Sequence, residues 1–295
     1  MVNYQILQRN PYNEQTILLT DTQLVKIAPD YSDTKYGRTI LTDIQKEDRI
    51  RDILQKCITD THPYFVFWET PNPSILKKDD LAQLFPGLRL NQNQYTIRMV
   101  NPTGWDLEIL FQFENTCPMC IPRTLPKEIT VPTKPLRMTA RYALNFLLHL
   151  ITDLYLLASC RITHQDLRLA NILLNPTVSE IETGILDWPT STLPRLIDFG
   201  SAKIYPPETN IEEVLTRNYN DLIVLLTTCI HGKILLISSY YPEACPTDEL
   251  WIRKVLVPGQ ADVIEPILKI FETSPISVSS LTSLYDVIQS FFQKL

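Results

Sequence analysis

Two short strings hold the densest chemistry in this chain. ITHQDLRLANILL (162–174) sets His164, Asp166 and Asn171 in the spacing H-x-D-x-x-x-x-N, and LPRLIDFGSAK (193–203) is an apolar run that ends in Asp198, Phe199 and Gly200. Asp166, Asn171 and Asp198 offer side-chain oxygens of the kind that accept a proton or hold a hard divalent cation. Each string also has a plain reading, in which Asp166 and Asn171 cap turns and the Asp-Phe-Gly tripeptide is chance. Their order argues otherwise: the first string leaves a long apolar helical stretch as a loop and enters a short strand, and the second is a strand running into a turn. Cys117-Pro-Met-Cys120 has the spacing of half a zinc site, but no second pair follows it, so it reads as a loop with two free thiols. No Ser-His-Asp order and no zinc-helix motif competes.

H-x-D-x-x-x-x-N followed by D-F-G resembles the catalytic and metal-binding loops of the protein kinase family. The resemblance implies phosphoryl transfer, a chemistry dominated by positioning and charge neutralisation. It assigns Asp166 the proton of an incoming hydroxyl. Asn171 and Asp198 become ligands to Mg2+, or Mn2+ in its place, bridging the phosphates of ATP, with His164, Phe199 and Gly200 as structural support. It also implies a lysine on the third strand paired with a helix glutamate, and the sequence offers Lys26 in QLVKIAP and Glu47 amid the apolar stripe Ile44, Ile50, Leu54, Cys57. HPYFVFWE (62–69) resembles the His-Pro opening of the family's fourth strand, and RMVNPTGWDL (98–107) resembles its hinge. The adenine of ATP would then lie among Leu24, Met99, Val100, Asn101 and Leu173. Tyr219-Asn220-Asp221-Leu222 resembles the start of the helix whose aspartate braces the catalytic loop; a plain N-cap is the other reading of Asp221. The likeness runs over about residues 4 to 231.

Several positions depart from the family pattern. The turn RNPYNE (9–14) holds no glycine where the family closes a Gly-rich loop on the phosphates. Leu24 replaces a small residue two before the lysine, and Pro102 has no N–H to offer adenine. Gln165 stands where an arginine usually meets an activation-loop phosphate, and no Ala-Pro-Glu motif lies between Asp198 and Asp221. Arg168 does not choose between Ser/Thr and Tyr substrates. ETGILDWPT (182–190) resembles the Asp-Trp metal motif of small-molecule kinases, which makes Asp187 a rival to Asp198; Asp187 is expected in an extended loop between two strands.

The elements that must position these residues follow from periodicity. Residues 4–28 alternate β-type runs with turn clusters and predict a three-strand antiparallel meander. A helical period takes over from Leu41 to Cys57, and HPYFVFWE and YTIRMV (95–100) read as buried strands joined by a polar connection. A Pro-rich segment at 115–135 leads to a long helix at 138–160, with further helical patterns at 219–231, 248–256, 261–273 and 278–294. The expected architecture is α+β: a two-lobed protein kinase-like fold with an N-lobe of sheet plus one helix at 1–101 and a mainly α C-lobe at 102–295.

Composition sets the outer bounds. Of 295 residues 44% are apolar and 20% charged, a globular balance, and 27 basic against 33 acidic residues give a net charge of −6 with no basic cluster, which argues against nucleic acid as a partner. No secretory signal is evident, and Asn145, His149 and Asp153 interrupt the longest apolar stretch, so it reads as a buried helix, not a membrane span. Six cysteines are too few for a disulfide framework, so a cytoplasmic protein with reduced thiols is expected. Its compact, glycine-poor style is similar to kinases of large DNA viruses and bacterial effectors, which would act in a host cell. The reading is an ATP-dependent protein kinase for Ser/Thr hydroxyls of a protein substrate. The alternatives are a pseudokinase that binds a partner and a small-molecule kinase.

Overall fold

Strand β1 (Tyr4–Arg9), β2 (Thr16–Thr20) and β3 (Leu24–Pro29) form the expected antiparallel meander. The structure, a computed structural model, describes residues 3–9, 16–20, 24–29, 35–58, 74–88, 90, 95–100, 105–111, 134–191, 193–231, 255–263, 267 and 285–290. Strand β5 (Tyr95–Val100) adds to β3, and β4 (Ser74–Leu76) to β5, giving the antiparallel order β1-β2-β3-β5-β4. Side chains alternate across a strand. Val25 and Ile27 therefore enter one small core with Leu18, and helix α2 (Lys78–Leu84) and the turn after it cover that core with Leu81 and Phe85. Lys26 is sent to the opposite face.

On that face lies helix α1 (Lys35–Cys57), six residues longer at its start than the periodicity from Leu41 to Cys57 predicts. Its first turn carries no acidic residue and includes Gly37, a poor helix former, which weakens the helical pattern there. Ile50 and Leu54 of α1 join the larger of the two cores, which spreads around helix α4 (Ala140–Ser159) and helix α6 (Ile211–His231). Helix α4 opens on Thr139, whose Oγ1 accepts the Tyr142 N–H at 3.1 Å. By length and composition α4 is apolar enough to cross a membrane, but 67% of that window is buried within the protein.

Short strands frame the chain beyond α4. Strand β6 (Trp105–Asp106), followed by helix α3 (Leu107–Leu110), β9 (Ile172–Leu174) and β11 (Arg195–Leu196) make a sheet in the order β11-β9-β6. Strand β8 (Ile162–Thr163) pairs with β12 (Lys203–Ile204), and β7 (Arg137–Met138) with β10 (Ile185–Leu186).

Some expectations need correction. The polar connection after residue 70 contains β4 and α2, elements too short for a periodic signal. The strand expected at 62–69 and most of the irregular segment at 115–135 lie outside the described residues, as do 248–254. Helix α6 begins at Ile211, eight residues before Tyr219. Asn210 Oδ1 accepts the Glu212 N–H at 2.9 Å, and Glu212 and Glu213 sit in the first turn, a start signal present in the sequence and passed over. Asp187 is not in an extended loop: the stretch between β9 and β11 holds helix α5 (Val178–Thr183), closed by a Thr177–Glu180 capping box, and then β10. Residues 261–263 and 285–290 are helical as expected. The architecture is mixed α+β.

Candidate functional site

The loop after α4 is shaped by its backbone before its side chains act. Gln165 sits at φ 61°, a left-handed conformation that a residue with a Cβ takes only when its surroundings require it. Helix α6 supplies the requirement. Asp221 Oδ2 accepts the Gln165 N–H at 2.9 Å, and Asn218 Oδ1 accepts the His164 N–H at 3.2 Å. Asn218 Nδ2 also donates to the carbonyls of Leu154 and Ile162, at 3.1 and 3.0 Å, so one wholly buried amide ties the end of α4 and β8 to α6. Asp221 is thus a brace, as the resemblance implies. It stands in the middle of α6, however, which rules out the N-cap reading and corrects the expectation that the helix starts there. Burial pushes its carboxyl above the ordinary range, against the opposing pull of the Gln165 N–H.

Within the loop, Asn171 Nδ2 donates to the Asp166 carbonyl at 2.8 Å and to Asp166 Oδ2 at 2.9 Å. These bonds commit the amide nitrogen, so what Asn171 could offer a cation is its side-chain oxygen. Arg168 Nε lies 3.4 Å from Asp166 Oδ2 with most of its side chain exposed. The Asp166 carboxylate is partly exposed at the surface of this loop, held in one orientation by an amide and a guanidinium.

Asp198 reaches the same place from β11. The Ile197 N–H donates to the Asn171 carbonyl at 3.0 Å, so the two candidate metal ligands stand on hydrogen-bonded neighbouring segments. Asp198 itself is left-handed, φ 62° and ψ 69°, and is exposed, while Phe199 behind it is buried. The Phe199 ring packs at 4.8 Å on His164, whose Nε2 lies 2.9 Å from the Ile197 carbonyl. A carbonyl only accepts, so Nε2 carries the proton and Nδ1 is left to accept the Asp166 N–H at 3.4 Å. Complete burial lowers the His164 pKa, consistent with the neutral ring that this tautomer describes.

Lys26 Nζ and Glu47 Oε1 meet at 3.7 Å, with 12% and 3% of the side chains exposed. This pairing of a strand lysine with the buried helix carboxylate is the one expected. Helix α1 packs directly on the Phe199–Ser201 turn, which links this ion pair to the loops below it. Leu24 pairs with Val100 and Val25 with Met99 in the β3–β5 ladder, which places Leu24, Met99 and Val100 on neighbouring strands. Leu173 lies buried in β9, opposite Asp106. Asn101, Pro102, the turn RNPYNE beyond Arg9, and Cys117 and Cys120 lie outside the described residues.

Asp187 stands elsewhere. Its Oδ1 accepts the Thr139 hydroxyl at 2.8 Å, at the N-terminus of α4, whereas Asp166 follows the other end of that 20-residue helix. Asp187 therefore supports a helix cap and does not face Asn171. Among the described residues no group of three or more His, Cys, Asp or Glu side chains is placed to hold a metal. The donor set of Asp198 and Asn171, one carboxylate and one amide oxygen, suits a cation that keeps its remaining ligands from water and phosphate, as Mg2+ does. Among the described residues, Asn218 and Lys46 of α1, whose Nζ donates to the Gly200 carbonyl at 2.8 Å, support the site and were not found by sequence reasoning. An asparagine or lysine within a helix carries no local signal of what it will touch. No protein-family model matches the chain, and no curated protein is found similar to it.

Proposed function

We propose that this chain is a divergent, two-lobed protein kinase-like enzyme that transfers the γ-phosphoryl group of ATP to a serine or threonine hydroxyl of a protein. The observation that carries the reading is the convergence of four independent segments. Lys26 on β3 meets Glu47 on α1, Asp166 and Asn171 share a loop braced by α6, and Asp198 is left-handed beside Asn171. In this reading Lys26 holds the α- and β-phosphates, and Asp198 and the Asn171 oxygen hold Mg2+, which neutralises phosphate charge. Asp166 orients the hydroxyl and takes its proton, while Arg168 balances the charge of Asp166. A protein acceptor fits better than a small molecule because Asp187 is engaged at the far end of α4.

The second reading, a pseudokinase that binds a partner without turnover, is favoured by the glycine-free turn RNPYNE, by Leu24 in place of a small residue and by the missing Ala-Pro-Glu motif. ATP turnover with Mg2+ separates the two. Wild type with a generic protein acceptor is expected to transfer phosphate, Asp166→Ala is expected to lose about 10²–10⁴-fold, the span of a general base, and Asp198→Ala is expected to lose transfer as well. Absence of turnover, together with no Mg2+-dependent thermal shift by ATP, establishes the pseudokinase. Transfer to a small acceptor but not to protein establishes the small-molecule alternative.

A further inference from the structure

The Asp198-Phe199-Gly200 turn is held from both sides. On its N-terminal side His164 holds the Ile197 carbonyl at 2.9 Å, and on its C-terminal side Lys46 Nζ donates to the Gly200 carbonyl at 2.8 Å. The first restraint comes from the catalytic loop itself and the second from α1. Between them Asp198 holds a left-handed backbone conformation, φ 62°, that persists only where its surroundings impose it. Lys46 is half-buried, so its ammonium bonds the carbonyl in a medium less screened than water, and charge-assisted bonds of this kind are about twice as strong as neutral ones. Its neighbour in sequence is Glu47, the partner of Lys26. Adjacent residues on a helix diverge by about a quarter turn, so α1 reaches the sheet with one and the metal turn with the other.

We infer that Lys46 is a positioning residue that couples α1 to the left-handed Asp198, so that the Lys26–Glu47 pair and the metal-binding carboxylate are set together and released together. The coupling of α1 to the turn stands on the Lys46–Gly200 bond, and its consequence for Mg2+ rests on the nucleotide-binding reading above. Displacement of α1 breaks the Lys46 bond, the turn loses its C-terminal restraint, and Asp198 relaxes toward ordinary backbone geometry.

Lys46→Met keeps the aliphatic stem and removes the donor. Backbone hydrogen exchange in the ligand-free protein reads the coupling without nucleotide. The Ile197 and Ala202 amides, which donate to the Asn171 and Phe199 carbonyls at 3.0 and 3.1 Å, report opening of the turn. In Lys46→Met they are expected to exchange about tenfold faster than in wild type, while α4 and α6 amides keep their wild-type rates. Unchanged exchange at Ile197 and Ala202, or a uniform rise that includes α4, overturns the coupling. The second measurement is the Mg2+ concentration for half-maximal ATP binding, expected to rise several-fold in Lys46→Met while binding of ATP without Mg2+ stays the same. A faster-exchanging turn with an unaltered Mg2+ requirement overturns the positioning role. A wild-type protein that shows no Mg2+-dependent ATP binding overturns the nucleotide reading, and the exchange data then decide the coupling by themselves.

Discussion

Glu47 is 3% exposed and forms a buried ion pair with Lys26 at 3.7 Å. Breaking a buried pair by removing one partner costs about 3–5 kcal/mol, whereas replacing both partners with neutral groups is often close to harmless. Lys26→Met is therefore expected to lose phosphoryl transfer and to unfold at a markedly lower temperature. The double variant Lys26→Met/Glu47→Gln is expected to recover most of the lost melting temperature and none of the lost transfer. Thermal unfolding and turnover on the same three proteins check this, and a double variant as unstable as the single one would remove the pair from the account. At this scale the sequence was most legible where chemistry fixes residue type and spacing together. Asp166, Asn171 and Asp198 announce themselves by interval, and Glu47 stands out as a carboxylate in an apolar stripe. Asn218 makes its three hydrogen bonds, to the His164 N–H and to the Leu154 and Ile162 carbonyls, only after the fold brings α6 beside β8, and nothing local to NYND marks it.

Elements were legible in proportion to their length and to the strength of their end signals. The meander and α4 follow directly from apolar patterning, while β4 and α2 are too short to show a period. Helix α4 also carries a residue that its apolar pattern does not explain. Asp153 is wholly buried, neither carboxylate oxygen has a hydrogen-bond partner among the described residues, and His149 Nε2 lies 3.8 Å from its Oδ2. Burial raises its pKa well above the ordinary value, so folding favours the protonated carboxyl over the charged one. A carboxyl raised on folding stabilises the native state least at pH values above its folded pKa, and the penalty disappears as pH falls below its unfolded value of about 3.9. Asp153→Asn imitates the protonated acid without that penalty. It is expected to raise the melting temperature at neutral pH, by about 2–4 °C for each kcal/mol recovered, with the gain fading to nothing near pH 4. A gain that is the same at pH 4 and pH 7, or a loss at neutral pH, would contradict the buried, protonated carboxyl.

At the scale of the whole molecule, two aspartates on the stretch from Leu186 to Asp198 have separate duties, and the fold, not the sequence, separates them. Both follow apolar residues and both resemble metal motifs. Strand β11 returns beside β9 and delivers Asp198 to Asn171, whereas β10 pairs with β7 and delivers Asp187 to the opposite end of α4. There Asp187 Oδ1 accepts from both the Thr139 hydroxyl and the Trp188 N–H, and the Thr139 N–H donates to the Leu186 carbonyl at 3.0 Å. The carboxylate thus orients the capping hydroxyl and adds a negative charge where the helix dipole favours one. Pairings between distant segments decide this, and no reading of local spacing contains them. Asp187→Ala is expected to destabilise the protein by about 1–2 kcal/mol, the range of a lost helix cap, and to leave phosphoryl transfer per folded molecule unchanged. Asp198→Ala is expected to do the reverse, removing transfer with little change in melting temperature, because the Asp198 carboxylate is exposed and the left-handed backbone is common to both residues. Unfolding curves and turnover measured side by side on the two variants decide the matter. Lost transfer in a fully folded Asp187→Ala would return that residue to the candidate site.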